Sequence, residues 1–159
     1  MDVSEQEAKL KLRLAQLEKH ERCQEDFLIF VKNMWPDFIA GRHHKIIAEK
    51  LERVARGELK RLIINMAPRH TKSEFASFLF PAWMMGKNPK MKIIQATHTT
   101  ELAVNFGRKT KNLIDSDDYK DIFPSVNLSA DSKASGRWDT TSGGMYYAVG
   151  VGSNLAGRG

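Results

Sequence analysis

Several protein classes are excluded by what this sequence lacks. It holds one cysteine, Cys23, in 159 residues. No internal disulfide can form, so a disulfide-stapled scaffold is excluded and a reducing compartment suits the chain. Proline is scarce, with five residues, which excludes collagen-like and proline-rich disordered chains. No apolar run approaches the roughly 18 residues that a membrane helix needs. The opening residues MDVSEQEAKLK lack the apolar stretch of a secretory leader. What remains is the composition of an ordinary globular chain, 42% hydrophobic and 28% charged, of a length that suits one domain or part of one.

The net charge of +6 is concentrated in one block. Residues 1–40 carry six Lys/Arg against eight Asp/Glu, and residues 112–159 carry four against six. Residues 41–111 carry fifteen against five. Such a block suits the phosphates of a nucleotide or of a nucleic acid backbone, and equally a solvated basic surface.

Along the chain, residues 3–22 read as a charged helix with Leu10, Leu14 and Leu17 at helical spacing. Regular heptads are too few for a sustained coiled coil, so this stretch is expected to pack on the domain or serve as a partner-binding arm. Residues 24–34 continue the helical character, and Trp35-Pro36 stops it. Residues 43–56 form a second amphipathic pattern on Ile46, Ile47, Leu51 and Val54, with Gly57 as its stop. Leu62–Met66 has the pattern of a short buried strand, and residues 67–71 that of a tight polar loop. Helix character begins at Lys72, with Phe75, Phe78 and Leu79 on one face and Pro81 expected to bend or shorten it. Residues 91–96 suggest another strand, and Thr99 or Thr100 can cap a helix to about Leu113. Beyond Pro124 the chain is rich in Ser, Thr and Gly, with Trp138, Tyr146 and Tyr147 in expected strands. This alternation implies α/β organisation around a parallel sheet.

The strand–loop–helix at residues 62–73 carries the most chemistry. Backbone N–H groups at a helix start can cradle phosphates, a lysine can reach the β/γ-phosphates, and a serine hydroxyl can bind Mg²⁺. Lys72 and Ser73 stand where those roles need them. The strict G-x-x-x-x-G-K-[ST] pattern fails at both glycines, where Met66 and Thr71 stand. If the second position requires positive φ, a β-branched residue there is strained.

The wider string RLIINMAPRHTKSEFASFLFPAW resembles the nucleotide-binding segment of large terminase subunits, the ATPases that drive DNA into tailed-phage and related viral capsids. The similarity continues through KIIQATHTTELAVNFGRKTKNLI, YKDIFP and ADSKASGRWDTTSGGMYYAVGVGSNLAGRG, covering residues 25–159. In that family the loop usually has the form P-R-x-G-K-S. Pro68, Arg69, Lys72 and Ser73 match, while Thr71 replaces the usual glycine, which bears on the tightness of phosphate binding.

The resemblance implies a P-loop NTPase-type parallel sheet with flanking helices, incomplete, preceded by an N-terminal helical segment. The segment would occupy residues 1–40. A partial ATPase domain would occupy 41–159, ending before the Walker B strand and without a nuclease domain. The implied cofactors are ATP and Mg²⁺, held by Pro68, Arg69, His70, Thr71, Lys72 and Ser73. Lys72 would contact the β/γ-phosphates, Arg69 the γ-phosphate and Ser73 the Mg²⁺. Arg42-His43-His44 lies where the family contacts adenine, with His44 as the residue that stacks on or bonds to the base. Arg158, or failing it Arg137, would be a trans-acting arginine finger. Gln95–Thr100 would position phosphate, or simply end a strand and cap a helix. His70 and His98 are loop residues rather than metal ligands.

The implied activity is ATP hydrolysis driving double-stranded DNA translocation. Portal protein and small terminase subunit would be partners of a homo-oligomeric ring in the host cytoplasm, with no membrane. Without Walker B carboxylates the 159-residue chain alone is expected to bind nucleotide weakly and turn it over negligibly. Two alternatives stay open. One is a basic nucleic-acid-binding module using Arg108-Lys109-Thr110-Lys111; the other is a degenerate fragment without nucleotide hydrolysis.

Overall fold

The computed structural model describes residues 3–132 and 134–152. The chain starts with helix α1, Val3–Glu25, followed directly by α2, Phe27–Met34. Asp26 separates them because it caps α2, its carboxylate accepting the Ile29 N–H at 2.8 Å. Trp35-Pro36 ends α2 where the sequence expects. Helix α3, Arg42–Ala55, buries His44, Ile47, Ala48 and Leu51 on one face and leaves Ile46 half-exposed. The Phe27 N–H donates to Glu52 Oε1 at 3.0 Å, tying α2 to α3.

A continuous helical stretch covers residues 72–87. Its middle, Glu74–Leu79, is a wide π turn, and α4, Phe80–Lys87, completes it. Pro81 explains the irregularity without ending the helix. It lacks an N–H, and its ring crowds the carbonyl four residues back. The helix opens by one residue, so that the Phe80 N–H donates to the Phe75 carbonyl, and then runs on to Lys87.

Strand β1, Lys92–Thr97, leads into α5, Thr100–Asp115, whose start Thr99 caps by accepting the Leu102 N–H. Helix α6, Asp117–Ile122, follows, then β2, Arg137–Asp139, and β3, Met145–Gly150. The sheet order is β1-β3-β2. β1 and β3 are parallel, as the helical crossover between them requires. β2 is antiparallel to β3. The sheet is therefore mixed rather than parallel. The cause is local: residues 140–144 form a tight turn, closed by the Thr140 N–H donating to the Gly144 carbonyl at 2.9 Å. A turn that short can only join antiparallel strands.

The expected strand at Leu62–Met66 does not form. The segment keeps the alternation of a strand: Leu62, Ile64 and Met66 pack on the core and Ile63 is 85% exposed. It belongs to no ladder among the described residues, so the pattern is present without its hydrogen bonds.

One contiguous core joins these elements. Phe27 meets Phe75, Phe80 and Trp83 at ring-centroid distances of 5.4–5.6 Å. Three buried polar tips find carbonyl acceptors: Trp83 Nε1 donates to the Cys23 carbonyl, Tyr119 OH to that of Ala82 and Trp138 Nε1 to that of Gly107. Helix α5 approaches both β3 and the segment before β2 closely because Gly107 has no side chain; a Cβ there would lie 3.0 Å from the Tyr146 ring and 2.5 Å from the Ser135 carbonyl oxygen. Most of α1 has no such partners. Leu10, Leu12, Leu14 and Leu17 are each more than half exposed. No helix among the described residues is long and apolar enough to cross a membrane.

Candidate functional site

Residues 67–74 line an open cleft of about 520 Å³, to which Ala67, Pro68, Arg69, Thr71, Lys72, Ser73 and Glu74 contribute. The volume falls within the usual range for small-ligand pockets. Its geometry comes from the backbone. Arg69 and Thr71 both take positive φ, 63° and 60°, with His70 of ordinary sign between them. Alternation of hand along successive residues turns neighbouring N–H groups toward one concavity, the arrangement that binds anions in phosphate loops. Helix N–H groups at 72–74 add to it, since the first turn of a helix has no intrahelical acceptors.

Thr71 sits where a capping side chain would stand, yet it does not cap. Its Oγ1 donates to the His70 carbonyl at 2.6 Å and faces His44 Nε2 at 2.6 Å. The strain expected at a β-branched residue of positive φ is therefore present at Thr71. Arg69 adopts the same hand, which its residue type gives no reason to expect.

The cations are placed as follows. Lys72 Nζ reaches back to the Met66 carbonyl at 3.5 Å, a weak contact, and has no ion-pair partner among the described residues. Arg69 is exposed and likewise unpaired there. Ser73 is exposed at the helix start. Glu74 adds a carboxylate to the cleft, and Lys109 of α5 pairs with it at 3.1 Å. This offsets a charge that would repel an anion.

His44 lies beneath the loop rather than open to it, with 6% exposure. Its ring stacks on Phe75 at 5.1 Å and contacts Phe38 and His43 at 4.7 and 3.8 Å. Both nitrogens are engaged: Nδ1 accepts the Gly41 N–H at 2.9 Å, and Nε2 faces Thr71. Burial, then the neighbouring His43 and His70, holds its pKa below the ordinary histidine value. His70 Nδ1 lies 2.9 Å from the Pro68 carbonyl, within the loop.

The structure thus brings together Pro68, Arg69, His70, Thr71, Lys72, Ser73 and His44. Arg137 is exposed on the edge strand β2. Arg158 lies outside the described residues. Gln95–Thr97 ends β1, and Thr99 caps α5, the plainer of the two expected roles. In the basic stretch, Arg108 bonds to Asn105, Lys109 pairs with Glu74, and Lys111 donates to the Ser132 carbonyl. Sequence reasoning placed Lys109 in a basic stretch but missed Glu74, its pairing with Lys109 beside the loop, and the His44–Thr71 contact. Lys109 and His44 reach the loop through the fold, and no local spacing signals either. Comparison with protein-family models, curated proteins and solved structures gave no match.

Proposed function

We propose that this chain binds the phosphates of ATP on residues 67–73 and is the nucleotide-binding part of a terminase large subunit. In this reading the β1–α5–β3 unit and the loop belong to a P-loop NTPase-type fold. The observation that carries it is the alternating backbone hand at Arg69 and Thr71, immediately before an uncapped helix start bearing Lys72 and Ser73. The terminase part of the reading rests on the sequence resemblance.

The residues fit the ligand. The N–H groups of the loop would donate to phosphate oxygens, and Lys72, whose contact to the Met66 carbonyl is long, would turn to the β/γ-phosphates. Arg69 would supply a second positive charge from inside the loop. Ser73 offers one hydroxyl, a modest donor set that suits Mg²⁺, an ion that keeps waters and phosphate oxygens as its other ligands. Mg²⁺ would neutralise charge on the β/γ-oxygens. The hydrolytic and DNA-translocating activity belongs to the proposed complete subunit. Buried beneath the loop, His44 supports this site from below.

Calorimetric titration of the 159-residue chain with Mg·ATP tests the reading. Binding is expected, and Lys72→Ala should remove it. Salt-sensitive DNA binding that ignores both ATP and Lys72 would replace it with the basic nucleic-acid module. No binding of either ligand would leave a degenerate fragment.

A further inference from the structure

Thr71 holds a backbone conformation that its side chain disfavours. Something must hold it there, and the hydrogen bonds around His44 identify what. The Gly41 N–H donates to His44 Nδ1, so Nδ1 carries a lone pair and the neutral ring carries its proton on Nε2. That N–H points at Thr71 Oγ1, 2.6 Å away. The threonine hydroxyl then gives its own proton to the His70 carbonyl. Each proton in the chain from Gly41 to His70 has one acceptor, and the direction is fixed.

The ring itself is immobilised. It stands near the start of α3, whose Ile47, Ala48 and Leu51 are buried in the core. Phe75 covers one side, and Phe38 meets it edge-on. An imidazole in this slot is a rigid donor aimed at one atom of the loop. It links the first turn of α3 to the phosphate loop across 27 residues of sequence.

We propose that His44, as the Nε2–H tautomer, is a positioning residue that locks Thr71 in its left-handed conformation and so preorganises the loop for phosphate. Its role is indirect: it acts through Thr71 and leaves the anion to the backbone N–H groups. This inference rests on the phosphate-binding reading of the loop. A glycine at position 71 would reach positive φ without help, so the lock matters only while threonine is there.

A double-mutant cycle reads this dependence. Affinity for Mg·ATP and for inorganic tripolyphosphate is measured in the parent chain, His44→Phe, Thr71→Gly and the double variant. Phenylalanine keeps the aromatic packing and removes the donor. His44→Phe is expected to weaken both ligands roughly two- to tenfold in the parent, the range of one hydrogen bond, and to change nothing in the Thr71→Gly background. Equal losses in both backgrounds, or no loss in either, would overturn the lock. His44→Gln keeps an N–H donor and serves if His44→Phe does not fold; it should retain more than half of the parental affinity, and a loss as large as that expected for phenylalanine would overturn the lock.

A ligand-free measurement separates this proposal from the reading it rests on. Nitrogen-15 spectra of the His44 ring near neutral pH should show Nε2 protonated and Nδ1 bare. The opposite tautomer would overturn the lock even if ATP binds. Failure of every variant to bind ATP, with the expected tautomer present, would sink the phosphate reading and leave the structural lock standing.

Discussion

The backbone hand of Thr71 can be weighed by comparing two substitutions at that position. Thr71→Ala and Thr71→Gly both delete the hydroxyl that His44 faces and the His70 carbonyl accepts. The hydrogen-bond loss is therefore common to both and cancels in the difference. What differs is the Cβ. At φ 60° a residue with a Cβ bears a cost of about 1–2 kcal/mol that glycine escapes. Glycine in turn loses more chain entropy on folding, roughly 0.5–1 kcal/mol. The difference favours Thr71→Gly by about 1 kcal/mol. Urea denaturation followed by circular dichroism should place its midpoint above that of Thr71→Ala, and its Tm about 2–4 °C higher. An alanine variant as stable as the glycine variant, or more so, would refute a left-handed residue at 71 and the phosphate concavity built on it.

Other outcomes follow from the same geometry. His44 takes up a proton at lower pH in the folded chain than in the unfolded one. Its contribution to stability is thus complete above about pH 6.5 and is lost as pH falls through that value, at no more than about 1.4 kcal/mol per pH unit; urea titrations from pH 7 to 5 should show a shallower decline in His44→Phe. Removing the charge of Lys109 by Lys109→Gln uncovers Glu74 and should weaken Mg·ATP binding roughly two- to fivefold, whereas Glu74→Gln should strengthen it; calorimetry reads both, and added salt should shrink both effects. Phe27→Ala should cost about 3–5 kcal/mol in chemical denaturation, because it empties the centre of an aromatic cluster. Leu14→Ala, on the exposed part of α1, should stay within about 0.5 kcal/mol of the parent in the same assay.

Features whose causes are local were legible in the sequence. The Thr99 cap, the Trp35-Pro36 stop and the apolar face of α3 depend on residues within one or two turns, and each forms close to where it is expected. Leu62–Met66 differs because alternation sets which side chains face inward, while a strand also needs a neighbouring backbone, which residue pattern alone cannot supply. The mixed sheet turned on the short connection at 140–144, which outweighed the parallel pattern suggested by alternating helices and strands. At the loop, Lys72 and Ser73 were visible from their place before a helix. The strain at Thr71 could be anticipated as a condition on φ. Its relief by His44 could not, since the two residues meet only through packing of α3 against the loop.

The wide turn at Glu74–Leu79 has a consequence for which way the loop faces. Each residue of an α-helix advances its successor by about 100° around the axis, so one residue more or fewer resets the phase of everything beyond it. Phe75, Leu79 and Trp83 are buried on the core side of this helix, while Lys72 and Ser73 precede the wide turn. The extra residue falls between Phe75 and Phe80, so Lys72, Ser73 and Phe75 lie on one side of it and Trp83 on the other. A chain one residue shorter within this turn would close it to an ordinary α turn and leave Lys72, Phe75 and Trp83 near the faces they hold now.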